Sequence, residues 1–346
     1  MANVVAYNPY LYVMGGGEYY FLVALQEIAR RHSVTIILPD TISDNGFWKV
    51  VQDVFAIDQF PAILSRERLV TDHFDLCIVV NNAEIKRLFA CSQINIVQLP
   101  GSYNVCDAVE LIVYNSMYTS SACMGISSQC VTEVVTPPVP HPTQRSRKKK
   151  RSILSVGRFG ESVHAKNELD LLWAAKTILK HRSNGDVTFH LVGKTTLASP
   201  EYIGKLSQES CDRIHIHLDI NRIELTKLYQ QSQLFWSGTG FGFDLQLNPE
   251  RAEHYGIAVA EAALHHAIPL VQPLGGYLDF LEPGKTCQPW ISLDDLVFES
   301  HRLLNDPVAY TKMVSNLKEN QWVKRILSPS KFAEKWLSIA EGILKC

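Results

Sequence analysis

"SILSVG", residues 152–157, is followed by a helical pattern over 167–181 and then by "TFHLVG", residues 188–193. Both runs are short, continuously apolar and closed by glycine. A strand with one face in water alternates apolar and polar positions, whereas a strand covered on both faces does not. Two such strands joined through a helix predict parallel neighbours in a sheet with helices packed on it. The alternation continues downstream. A helix is expected over 223–231, a strand at "LFWS" (234–237), a helix around 257–265 and a strand at "IPLVQ" (268–272), and the chain beyond Leu293 reads as helical.

The same pattern runs upstream. "VVAY" (4–7) leads through the glycine loop "MGGGE" into a helical stretch at 18–31. There Phe21, Leu22, Leu25, Ile28 and Ala29 share a face. "SVTIIL" (33–38), "DLCIVV" (75–80), "INIVQL" (94–99) and "ELIVY" (110–114) follow as further buried strands. Between the two series lies "VTPPVPHPTQRSRKKKR" (135–151), whose four prolines and basic run do not suit a core element. The expected fold class is therefore α/β, with two doubly wound Rossmann-like domains and a cleft between them. The expected boundaries are 1–142, a linker at 143–151, and 152–328. A last helix at 329–346 carries Phe332, Trp336, Ile339, Ala340 and Ile343 on one face, so it must pack on something.

Length and composition agree with this division. A chain of 346 residues is too long for one ordinary core. The net charge of −2 gives no nucleic-acid signal. Residues 1–142 hold 7 Lys/Arg against 13 Asp/Glu, while the remainder holds 26 against 22, which makes the second half the place to look for an anionic ligand. "RSRKKKR" has no interleaved aromatic residues and reads as solvated linker rather than a nucleic-acid patch. The eight cysteines form no CxxC pair and no zinc-like cluster with histidine, as expected of reduced thiols in a cytoplasmic protein. No signal peptide and no apolar run of transmembrane length is apparent, and the acidic first half lacks a basic face for anionic lipid.

In doubly wound sheets, ligands sit beyond the carboxyl ends of the strands. Arg158 directly follows one such strand, and Lys166 stands just before the next helix, where the helix dipole opposes a cation unless an anion is present. Arg158 and Lys166 could grip a diphosphate; taken alone, the pair reads as a solvated Arg and Lys. Asn167, Glu168 and Asp170 are ordinary N-terminal helix residues. In "EHYGIAVAE" (253–261), Gly256 permits close backbone approach, and a helix starting near Ile257 aims free N–H groups at an anion. Glu261, about one turn into the helix, can accept from vicinal hydroxyls such as a ribose, and Glu253 can reach a sugar beyond the phosphates. Glu261 lies among small apolar residues, so it is expected to be half-buried and in need of partners.

"EHYGIAVAEA" resembles the E-x7-E motif of the retaining glycosyltransferases of family four, in the "EHFGI" variant of some α-mannosyltransferases and related bacterial enzymes. The resemblance covers nearly the whole chain: "GGGE" (15–18), "VYNSMYT" (113–119), "VTPPV", "SVGRF" with "KN" (166–167), and "GGYLDFL" (275–281) follow in the family's order. It implies the GT-B fold, with the last helix crossing back to the first domain. It also implies a hexosyltransferase using a GDP- or UDP-linked hexose as donor substrate, with no metal and no other cofactor.

By the same resemblance, Arg158 and Lys166 would hold the diphosphate, Glu261 the ribose and Glu253 the transferred sugar, with Gly256 and Ile257 offering backbone N–H groups. Gly16 and Gly17 would let the first domain approach the donor phosphate or the acceptor. The acceptor would be a sugar, a glycan or a lipid-linked glycan, leaving peripheral contact with a membrane open. Where many relatives carry a histidine, this chain has Gln98, which cannot change charge near neutral pH. That departure supports an alternative, a weak or inactive GT-B subunit that binds nucleotide sugar or a partner. A nicotinamide-dependent enzyme is disfavoured, because "GGGEYY" does not provide G-x-G-x-x-G and the first acid after the second strand is Asp40.

Overall fold

The computed structural model describes residues 1–12, 14–39, 44–66, 73–81, 84–126, 130–142, 148–160, 165–196 and 198–345, except for the side chains of Asp44, Asn45 and Lys324. Asp40, His164 and positions 143–147 of the expected linker lie outside the described residues. The chain forms two compact units: Met1–Pro140 with Leu327–Cys346, and His141–Ile326.

The first unit runs β1 (Asn3–Tyr7), α1 (Gly16–Ile28), β2 (Ser33–Ile37), α2 (Asp44–Phe55), β3 (Ile63–Ser65), β4 (Leu76–Val80), β5 (Glu84–Ile85), β6 (Ser92–Val97), β7 (Asn104–Val105), β8 (Leu111–Tyr114), α3 (Met117–Ala122) and β9 (Thr132–Val134). Its main sheet has the order β3-β2-β1-β4-β6-β8-β9, and β5 pairs with β7 separately. All of these pairs are parallel; Val4, for example, stands between Val34 of β2 and Leu76 of β4. The apolar runs read from the sequence are β1, β2, β4, β6 and β8. The three-residue β3 and β9 are too short to show a period and are recruited by the sheet edge beside them.

The apolar stripe near the carboxyl terminus has its partner within this unit. The C-terminal helix Pro329–Ile343 packs on α1. Phe332 and Trp336 are fully buried, with ring centroids 4.7 and 5.9 Å from Tyr20. The Tyr20 hydroxyl donates to the carbonyl of Val135 at 2.9 Å. Each buried aromatic contributes about 2–3 kcal/mol of apolar transfer.

The second unit runs β10 (Lys150–Arg158), α4 (Glu168–Leu179), β11 (Thr188–Lys194), α5 (Pro200–Gln208), β12 (Ile214–Leu218), α6 (Arg222–Gln231), β13 (Ser232–Trp236), α7 (Ile257–Leu264), β14 (Ile268–Val271), β15 (Gln288–Pro289), α8 (Leu293–Asn305), α9 (Pro307–Glu319) and α10 (Gln321–Arg325). Its parallel sheet has the order β12-β11-β10-β13-β14-β15. In both units the order reverses beside the first strand, between β1 and β4 and between β10 and β13. That reversal opens the crevice in which doubly wound sheets bind ligands.

Packing decides several features that the sequence does not. Lys150 and Arg151 begin β10 rather than ending a linker. The basic run is also less solvated than it reads: Lys149 turns inward and donates to the carbonyls of Tyr229 and Ser232 at 3.1 and 2.7 Å, at the carboxyl end of α6. Burial, and then Lys318, push its ammonium down to about 7. Arg151 pairs with Asp186 at 2.9 Å. Strand β12, "IHIHL", is not a continuous apolar run: histidine alternates with isoleucine, the pattern of a strand with one more polar face. In the sheet, His190 stacks on His215 and His217 at 4.8 and 5.3 Å. Burial and then the neighbouring imidazoles hold His190 down at about 3, so the stack carries a neutral ring there at pH 7. His265 is likewise buried, stacked on Tyr229 and lowered to about 4, so it is no charged partner for the dipole of α7.

Candidate functional site

Arg158 is the last residue of β10, and its in-register neighbour on β11 is Lys194. Both are half-buried, and neither makes an ion pair with a described residue. Two adjacent unpaired cations at the carboxyl end of a sheet favour an anion there. Gly157, just before Arg158, lies against the aliphatic stem of Lys166, and a Cβ at Gly157 would collide with that stem.

Lys166 is the hub of the site. Its Nζ lies 2.6 Å from Glu253 Oε2 and 2.9 Å from Thr239 Oγ1, and Thr239 in turn donates to Glu253 at 3.0 Å. The Lys166 and Glu253 side chains are 19% and 21% exposed, so this is a largely desolvated ion pair with one edge open. Burial opposes ionisation of Glu253, but the nearby Lys166 ammonium, its hydrogen bond, His254 and Thr239 outweigh it and hold the carboxyl at about 2. An ammonium has three N–H donors. Two are used here, and no described residue takes the third.

The helix start next to this pair is built by glycine. Gly256 adopts φ 89° and ψ 60°, the left-handed region, and no side chain caps α7 behind it. A Cβ at Gly256 would come within 3.1 Å of Glu253 Cγ. Ile257 therefore opens a helix whose first-turn N–H groups are not met by a capping side chain. The preceding turn is closed by the Gly276 N–H, which donates to the Glu253 carbonyl at 2.7 Å. Gly276 sits so tightly on His254 that any side chain there would strike its backbone. Glu261, in the second turn of α7, is 6% exposed and ion-paired with Arg222, the first residue of α6. Tyr229 of α6 is fully buried, its phenol raised by burial and then by the Glu261 carboxylate.

The structure thus brings together Lys166, Glu253, Gly256 and Ile257, with Glu261 one turn further on and Arg158 at the adjacent strand end. Gly16 and Gly17 belong to the other unit, at the start of α1. There the Glu18 carboxylate accepts the Gly15 N–H at 2.8 Å, and Gly17 lies against the Gln98 side chain. Two residues of this cluster escaped the sequence reading. Arg222 opens α6, one residue before the expected start; a cation in a first helical turn is the same warning that singled out Lys166. Thr239 lies in "GTGFGFD", whose glycine pattern alone is weak evidence.

Asn167 does not cap α4. Its backbone is left-handed at φ 53°, and its amide donates to the Gly238 and Phe241 carbonyls at 2.7 and 3.4 Å, which anchors that loop. Glu168 is buried and accepts from the Tyr202 hydroxyl at 2.7 Å rather than serving as a surface acid.

No protein-family model and no curated protein matches the chain. Solved structures do. HepE from Anabaena, solved with UDP and glucose, superposes with a TM-score of 0.68 at 14% identity over 100% of both chains. A glycosyltransferase from Rickettsia africae gives 0.69 at 14% identity over 99% of each. Sucrose-phosphate synthase from Thermosynechococcus elongatus gives 0.70 at 13% identity over 100% of each. The fold is GT-B. Identities this low carry the fold and nothing finer. Among the described residues, no helix is long and apolar enough to cross a membrane, and no group of three or more His, Cys, Asp or Glu is arranged to hold a metal ion.

Proposed function

We propose that this chain is a retaining hexosyltransferase that takes its sugar from a nucleotide-diphosphate donor. The observation that carries the reading is the Lys166–Glu253–Thr239 cluster beside an uncapped, glycine-started helix at the sheet's reversal point. The base is read as uridine or guanosine; HepE, which shares the fold, has been solved with UDP-glucose, so UDP adducts are the first donors to test.

In this reading Arg158 and the third N–H of Lys166 hold the diphosphate. The first N–H groups of α7 add to that field, Glu261 accepts from the ribose hydroxyls, and Glu253 faces the hexose. The bond from the anomeric carbon to the β-phosphate oxygen breaks as the acceptor oxygen bonds to the same face. The acceptor proton passes to the departing phosphate. Arg158 and Lys166 stabilise the charge that collects on the diphosphate, the role a metal would otherwise fill.

A second reading, a GT-B subunit that binds donor without turnover, is supported by Gln98. Gln98 is 6% exposed and its amide engages Asn81 and Gly17, and a carboxamide cannot titrate where the family resemblance implies a histidine. The test is a thermal-shift panel of UDP, GDP, ADP and their hexose adducts, followed by anomeric-proton NMR of any donor that binds. A ligand at 100 times its dissociation constant adds about 2.7 kcal/mol, or about 7 °C for a unit of this size. A shift with consumption of UDP-hexose and an α-configured product supports the transferase. A shift without turnover in any acceptor mixture supports the subunit, and no shift at all refutes both.

A further inference from the structure

The first unit has a polar feature that the donor reading does not use. Strands β1, β4, β6 and β8 are neighbours in the sheet, and each is followed at once by an amide residue: Asn8, Asn81, Gln98 and Asn115. Three of them are linked. The Gln98 N–H donates to Asn81 Oδ1 at 2.8 Å, and Asn81 Nδ2 donates to Gln98 Oε1 at 3.2 Å. Asn115 Nδ2 donates to the Gln98 carbonyl at 3.1 Å. Asn81 holds its place with a left-handed backbone, φ 50°.

Among the described residues, two amide atoms in the row are buried without a partner, the Asn115 Oδ1 acceptor and the Asn8 Nδ2 donor. Asn115 is 7% exposed and Asn8 fully buried. Asn8 Oδ1 accepts the N–H of Tyr10, on a turn where Tyr10 and Tyr12 are 38% and 55% exposed. A buried amide atom with no partner is costly unless a ligand or an ordered water meets it.

The row crosses the sheet's reversal point, between β1 and β4, where ligands bind in this architecture. None of the residues that directly follow these four strands is Lys or Arg. We infer that the amide row Asn8–Asn81–Gln98–Asn115 is the floor of a site for an uncharged saccharide, the acceptor of the proposed transfer, rather than for a phosphate-bearing one. The inference rests on the transferase reading for the word acceptor. Fixed neutral donors and acceptors match a polyol, whose hydroxyls both give and take hydrogen bonds. A phosphate would call for cations or a run of free N–H groups. The exposed Tyr10 and Tyr12 rings offer apolar surface to the faces of sugar rings.

The test uses the full chain in saturation-transfer NMR, with and without UDP. The probes are the methyl glycosides of glucose, galactose, mannose and N-acetylglucosamine in both anomers, with glucose 6-phosphate as the anionic comparator. At least one neutral glycoside is expected to bind, and its dissociation constant should rise about tenfold in Asn115→Ala and in Asn8→Ala, as for one lost hydrogen bond. Should either alanine variant fail to fold, Asn115→Ser, which keeps an oxygen acceptor, should bind with intermediate affinity. UDP affinity should stay within about twofold of wild type, because these residues lie outside the donor-binding unit. Three results would overturn the inference: neutral glycosides that are all silent, glucose 6-phosphate binding more tightly than they do, or variants binding like the wild type because water satisfies the amides. A chain that ignores UDP yet binds the glycoside through these residues would sink the donor reading and leave the row standing.

Discussion

Replacing Lys166 by methionine removes the cation and keeps most of the stem that packs against Gly157. The Glu253 carboxyl sits at about 2 against an ordinary 4.5, which is about 3 kcal/mol of preference for the charged form. Both partners are about one-fifth exposed, so solvent screens the pair only in part. Lys166→Met should therefore cost the second unit about 3 kcal/mol at pH 7, because a desolvated carboxylate is left beside Thr239 and His254 without its cation.

In Lys166→Met/Glu253→Gln that charge is gone, and the double variant should be more stable than Lys166→Met alone, with a coupling of about 2 kcal/mol. The sign with pH follows from the lowered carboxyl. The pair's contribution is complete above about pH 5 and is lost as pH falls through 4.5 towards 2, so the variant and wild type should converge in acid. Urea unfolding followed by tryptophan fluorescence reads this directly, since Trp173, Trp236, Trp290 and Trp322 lie in this unit. A Lys166→Met variant within about 0.5 kcal/mol of wild type at pH 7, or a strictly additive double variant, would show that the pair is not held as described.

Gly256→Ala should cost about 1–2 kcal/mol, since alanine resists the left-handed backbone and its Cβ would press on Glu253; UDP affinity, by calorimetry, should fall with it. Arg222→Gln leaves the Glu261 carboxylate without its guanidinium, and UDP should bind about tenfold more weakly while 2′,3′-dideoxy-UDP changes little; equal losses for both would remove Glu261 from the ribose. Trp336→Ala should destabilise the first unit by about 3–5 kcal/mol and leave UDP binding by the second unit unchanged, seen as an earlier first transition in differential scanning calorimetry.

The sequence by itself determined the α/β class and most of the parallel strands. Burial on both faces demands continuous apolar runs, and runs such as 75–80 and 152–157 have no other ready use. It also singled out Lys166, Glu253, Gly256 and Glu261, because a cation, two acids and a glycine around a helix start are locally costly unless something repays them. Only the tertiary structure decided which partners these groups take. Arg222 reaches Glu261 from 39 residues away, and Thr239 joins Lys166 from a loop that local pattern left undefined. β12 pairs in register with β11, where its histidines stack on His190, although no continuous apolar run announces it in the sequence. Lys149, read as solvated charge, donates to carbonyls at the end of α6, 80 residues or more further along the chain. The amide row shows the same limit most plainly: Asn8, Asn81, Gln98 and Asn115 are scattered over more than a hundred residues of sequence. They become one surface only because parallel strands, joined by crossover connections, bring all their carboxyl ends to the same edge.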